Sequence, residues 1–112
     1  MANDACSDTG PVLHLHEIGS DFLLKIFGKI FVSYYIKEEL LKYKIENLPK
    51  NFEVEEVNKD QVVLLAEKYE IDVAEASAIW LCKSVPISLL LTYDLTAREV
   101  AMQLGIKPVG TV

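Results

Sequence analysis

The chain has 112 residues, 51% of them apolar, enough for one domain with a real core. Seventeen acids against 11 bases give a formal charge of −6, and Arg98 is the single arginine, which argues against a duplex-DNA binder working through bulk positive charge. Cys6 and Cys82 are too few for a disulfide framework and form no zinc motif, so both read as buried reduced thiols. No apolar run approaches the roughly 18 residues of a membrane span and no signal-peptide pattern opens the chain, so the expectation is a soluble, cytoplasmic protein.

Strands and helices alternate, which predicts an α/β fold with a mainly parallel sheet. Residues 4–7 read as a first strand. Asp8-Thr9-Gly10-Pro11 then opens a helix that runs to Gly19, with Pro11 suited to a first turn. Residues 21–27 form a second short helix, ended by Gly28, and Lys29 to Val32 a second strand. Ser33 can cap a helix to about Tyr43, with Ile36 and Leu40 on one face. A polar loop at 45–51 precedes Phe52 to Val57, whose apolar–acidic alternation predicts a half-exposed strand at or near the sheet edge. Asp60 is expected to start a helix to about Tyr69, and Asp72 another to about Lys83. Leu89, Leu90 and Leu91, within a strand from Ser88 to Thr92, imply burial on both faces. Leu95 to Leu104 carries apolar residues at helical spacing, Gly105 is a stop signal, and Ile106 to Val109 reads as a last strand.

Four acids stand out: Asp8, Glu39, Glu75 and Asp94. Carboxylates are natural ligands of Mg²⁺ and Mn²⁺, and in open parallel sheets ligands bind beyond the carboxyl ends of the strands. Asp8 and Asp94 both occupy that rim. Each is also a favoured helix cap, and the two roles can coexist on the two oxygens of one carboxylate. Glu75 follows Asp72 by three residues, as in a capping box. Glu39 lies beside Glu38 on a helix rich in charge, where a solvated face is the plainer reading. His14 and His16 would point about 200° apart on a helix and so would not share a metal. The chain contains no nucleophile elbow, P-loop or dinucleotide fingerprint.

The chain resembles the PIN-domain family, and within it small prokaryotic proteins related to VapC-type toxins. The segments that carry the resemblance are Ser7-Asp8-Thr9-Gly10-Pro11-Val12-Leu13, Val32 to Leu40 ending in Glu38-Glu39-Leu40, Glu75-Ala76-Ser77-Ala78-Ile79, and Leu91-Thr92-Tyr93-Asp94-Leu95-Thr96-Ala97-Arg98. The tail from Leu104 to Thr111 is similar as well. The resemblance implies a single PIN-like domain over 1–112, with a parallel sheet of four or five strands flanked by helices. It implies a divalent-metal-dependent endoribonuclease acting on single-stranded RNA, as the toxin of a toxin–antitoxin pair or in a housekeeping role. Asp8, Glu75 and Asp94 would hold Mg²⁺ or Mn²⁺, with Glu39 completing the catalytic set and Thr9 supporting a carboxylate. Arg98 would position phosphate. An antitoxin protein and a homodimer are the implied partners.

Three departures from the family pattern stand out, and the reduced acid count together with the acidic surface favours a rival reading, a catalytically weak or inactive PIN-like binding module acting through dimerisation or a protein partner. Ser77 stands where related sequences often carry a second acid, and Tyr93 where many carry the first of two. The C-terminal helical segment usual in relatives is expected to be absent.

Overall fold

A computed structural model describes residues 3–110. Each expected element is present: strands β1 (Ala5–Ser7), β2 (Ile30–Ser33), β3 (Phe52–Glu55), β4 (Leu89–Leu91) and β5 (Lys107–Val109), and helices α1 (Thr9–Glu17), α2 (Tyr34–Lys42), α3 (Lys59–Tyr69), α4 (Val73–Ser84) and α5 (Leu95–Gln103). The short segment Asp21–Ile26 is a 3₁₀ helix.

The five strands form one parallel sheet in the order β3-β2-β1-β4-β5. The alternating strand β3 lies at the edge, as its half-polar pattern requires, and β4 lies inside, with Leu90 and Leu91 buried and Leu89 partly so. The connections run outward from β1 in one direction and from β4 in the other. The gap between the carboxyl ends of β1 and β4 is therefore the topological switch point, where open α/β sheets place their sites.

Alternate residues of the strands feed the two faces. Ala5 and Leu91 pack with Val12, Leu15, Ile36 and Leu40 on one side. Cys6 and Leu90 pack with Ala78, Ile79, Val100 and Ala101 on the other. Helix α3 covers α4 through Val62, Ala66 and Ala76, beside a half-buried Trp80. Both thiols are free and buried, and the Cys82 pKa is pushed up by its hydrogen bond with Cys6 and by burial.

The start of α3 differs from expectation. Its cap is Asn58, which accepts from the Gln61 amide at 3.1 Å, and Asp60 lies inside the first turn. Asparagine caps as well as aspartate, and the acid one turn in still meets the positive end of the helix. Among the described residues, no helix is long and apolar enough to cross a membrane.

Candidate metal centre

The end of β1 delivers Asp8 to the switch point. Its main chain continues the ladder, the Asp8 amide donating to the Leu91 carbonyl at 2.9 Å. Its side chain caps α1, Oδ1 accepting from the Thr9 amide at 2.8 Å. Oδ2 accepts from the Thr92 hydroxyl at 3.2 Å, across the gap to β4. At 8% exposure, the carboxyl has lost most of its hydration. Burial raises its pKa to about 6, and the nearby charges of Asp72 and Glu39 push the same way; the bonds from Thr9 and Thr92 oppose the rise.

Asp94 reaches the same place from β4. It caps α5 by accepting from the Ala97 amide at 2.8 Å, and its own amide donates to the Thr92 hydroxyl at 3.3 Å. Thr92, fully buried, thus links the two rim aspartates through one oxygen. Its carbonyl accepts from Arg98 Nη1 at 3.2 Å, so the guanidinium expected to meet phosphate is engaged with the β4–α5 turn.

Glu39 enters from α2, its Oε1 accepting from the Thr9 hydroxyl at 2.5 Å. Thr9 thereby ties the start of α1 to a carboxylate of α2. Glu75 enters from α4 through a complete capping box: its amide donates to Asp72 Oδ1 at 2.8 Å, and its Oε1 accepts from the Asp72 amide at 3.3 Å. The Glu75 pKa rises to about 8, first from burial and then because the protonated carboxyl donates to the carboxylates of Asp72 and Asp94. A capping residue and a member of an acidic cluster are therefore one and the same side chain.

The four expected acids lie along one run of contacts: Asp8 to Glu39 through Thr9, Asp8 to Asp94 through Thr92, and Asp94 to Glu75. Asp72, read from the sequence only as a cap, joins them as a fifth. The capping box itself was the available signal, since it fixes Asp72 and Glu75 on one rim. Ser77 faces elsewhere: it is fully buried, its hydroxyl 2.7 Å from that of Ser33 and donating to the Ala74 carbonyl at 2.6 Å. The histidines stay apart, as helical spacing requires. His16 Nδ1 lies 2.8 Å from Asp21 Oδ2 on the surface, and the His14 ring meets Tyr93 edge-on at 5.6 Å.

Among the described residues, no three Asp, Glu, His or Cys side chains already converge as a ready metal cage. The donor chemistry nonetheless fits a hard divalent cation: the cluster offers carboxylate and hydroxyl oxygen, with no sulfur or imidazole among its described members. Burial first, and the neighbouring carboxylates after it, raise the pKa of Asp8 and of Glu75, as expected of buried acids without a counter-charge. Beside Glu39 and Asp72 opens a depression of about 750 Å³, walled further by Tyr34, Tyr35, Lys42 and Lys59.

This architecture is an open parallel α/β domain with acidic residues at its switch point. A sequence profile of the PIN domain matches residues 4–112, and the chain belongs to that family. PIN domains are generally nucleases and usually bind divalent metals. Among solved structures, the crystal structure of PAE2754 from Pyrobaculum aerophilum is similar, with a TM-score of 0.69 over 97% of this chain and 92% of that one. The two sequences are 17% identical, so the likeness speaks to the fold alone. No curated protein matches the sequence.

Proposed function

We propose that this chain is a divalent-metal-dependent endoribonuclease that cleaves single-stranded RNA. The supporting observation is the meeting of Asp8, Glu39, Glu75 and Asp94, from four separate segments, at the β1/β4 switch point. Asp8, Glu75 and Asp94 would hold Mg²⁺ or Mn²⁺, with Glu39 closing the cluster through Thr9. When bound, the cation supplies Lewis-acid activation of water and charge stabilisation on the phosphate. Thr92 fixes the relative positions of Asp8 and Asp94, and the caps on α1 and α5 fix their rotamers. Glu75 must shed its proton before it can act as a ligand, so cation binding should tighten as pH rises. Arg98, held against the Thr92 carbonyl, would order the turn next to the phosphate. A toxin role, with an antitoxin as partner and a homodimer as the assembly, is the narrower form of this proposal.

A second reading, a PIN-fold binding module, draws on the commitment of Asp8, Asp72 and Asp94 to helix caps and on the buried serine at position 77. Calorimetric titration with Mn²⁺ in chelator-stripped buffer, on wild type and Asp94→Asn, separates the two. The nuclease reading expects saturable binding that the variant loses, and RNA cleavage that disappears with it. Absence of binding in both proteins favours the module.

A further inference from the structure

The geometry points to a nucleobase-binding subsite on Tyr34, flanked by Lys59, that receives the nucleotide next to the scissile phosphate. This inference rests on the ribonuclease reading and assigns the part of the substrate that the acids do not touch. The 750 Å³ depression has the size of a small-molecule site, typically about 300–1,000 Å³. It begins at Glu39 and Asp72, so an RNA strand with a phosphate at the cluster has room for a neighbouring nucleotide there. A second depression, of about 340 Å³, shares Tyr34, Tyr35 and Lys59 with the first. These three residues thus form a wall common to two adjoining hollows.

The composition of that wall suits a base and its phosphate. Tyr34 sits in the first turn of α2, 44% exposed, five residues and so about 7.5 Å along the axis before Glu39. An exposed ring at a rim gives up little hydration when a base stacks on it, and stacking tolerates any base. Lysines gather around it in a chain that is otherwise acidic. Lys37 Nζ lies 5.5 Å from the Tyr34 ring centroid, and Lys42 and Lys59 line the depression. Of the acids that line the two hollows, Glu39 and Asp72 belong to the cluster, and Glu38 and Glu56 stand against Lys37, Lys42 and Lys59. Aromatic face plus lysine is the recognition set of a single-stranded nucleic acid.

The test is fluorescence anisotropy with a labelled single-stranded RNA of about eight nucleotides, inside the usual site-size range. It is run with all four acids in place and with Ca²⁺ instead of Mn²⁺, an oxygen-seeking cation that fills the cluster without activating water well, so that binding is read without cleavage. Tyr34→Ala is expected to weaken binding about 5- to 100-fold, and Tyr34→Phe to keep it, because only the ring face is used. Lys59→Ala is expected to lower the slope of log affinity against log salt by about one. Circular dichroism of each variant checks that the fold is intact. RNA binding that is indifferent to both Tyr34→Ala and Lys59→Ala overturns the subsite and leaves the ribonuclease reading standing. Failure of every variant and of wild type to bind RNA overturns both. A groove that takes a basic peptide and no RNA reassigns it to a protein partner and overturns the subsite.

Discussion

Replacing Asp8 by asparagine should make the metal-free protein more stable at neutral pH. The carboxyl titrates near 6 in the fold against 3.8 for the ordinary group, which is about 3 kcal/mol of penalty for carrying its charge. A folded pKa above the unfolded one means that the native state holds the proton more tightly. The penalty is therefore absent below about pH 4 and complete above about pH 6. Asparagine removes it and still accepts from the Thr9 amide as a cap. It loses the bond from the Thr92 hydroxyl, at a cost of about 1 kcal/mol. The net gain is about 2 kcal/mol at pH 7, a rise in melting temperature of about 6–10 °C for a domain of this size. Urea denaturation in chelator at about pH 7 and pH 4 measures it: at the lower pH the gain is lost, and the missing Thr92 bond leaves the variant the less stable of the two by up to about 1 kcal/mol. Saturating Mn²⁺ should reverse the order, since about 100 times the dissociation constant adds about 2.7 kcal/mol to wild type alone. An Asp8→Asn variant less stable than wild type in chelator at pH 7, or a gain equal at both pH values, would refute this account of the site.

Thr92→Val keeps the side-chain shape and deletes the oxygen between Asp8 and the Asp94 amide. It should cost about 1–2 kcal/mol in urea denaturation and weaken Mn²⁺ about 10-fold by calorimetry; unchanged affinity would remove Thr92 from the site. Ser77→Glu places a carboxylate at a fully buried position whose hydroxyl bonds Ser33 and the Ala74 carbonyl. It should cost at least about 3 kcal/mol, and a variant that folds as well as wild type and binds Mn²⁺ more tightly would show instead that position 77 faces the cluster.

The order and type of the elements were readable because each strand and helix carries its own period and its own stop, Gly19 and Gly105 among them, both with positive φ. The edge position of β3 followed from Phe52 to Glu55 alternating across a half-wet strand. Asp8 and Asp94 were legible as rim residues because each directly follows an apolar stretch and opens a helix. The tertiary links were not legible. Nothing local tells that the Thr92 hydroxyl crosses to Asp8, 84 residues away, or that the Thr9 hydroxyl reaches Glu39. Asp72 was hidden by its success as a cap: a residue whose local role is complete gives no sign of a second. Arg98 looked available for phosphate because a lone arginine on an amphipathic helix carries no mark of the carbonyl it will meet. The loss of an acid at Ser77 was visible, and its replacement by a buried hydroxyl pair with Ser33 needed the packing of α4 on β2.

The rim aspartates serve as helix caps and as members of a charged cluster, and this double employment shapes how such a chain can evolve. Aspartate to asparagine is a single-base change that preserves the cap and deletes the charge. If the proposed activity holds, drift from enzyme to binder needs no passage through an unfolded intermediate, and for Asp8 it runs downhill in stability. Only selection for the bound cation would hold these acids in place, so in a lineage released from that selection asparagine at positions 8 and 94 should be among the first changes to spread.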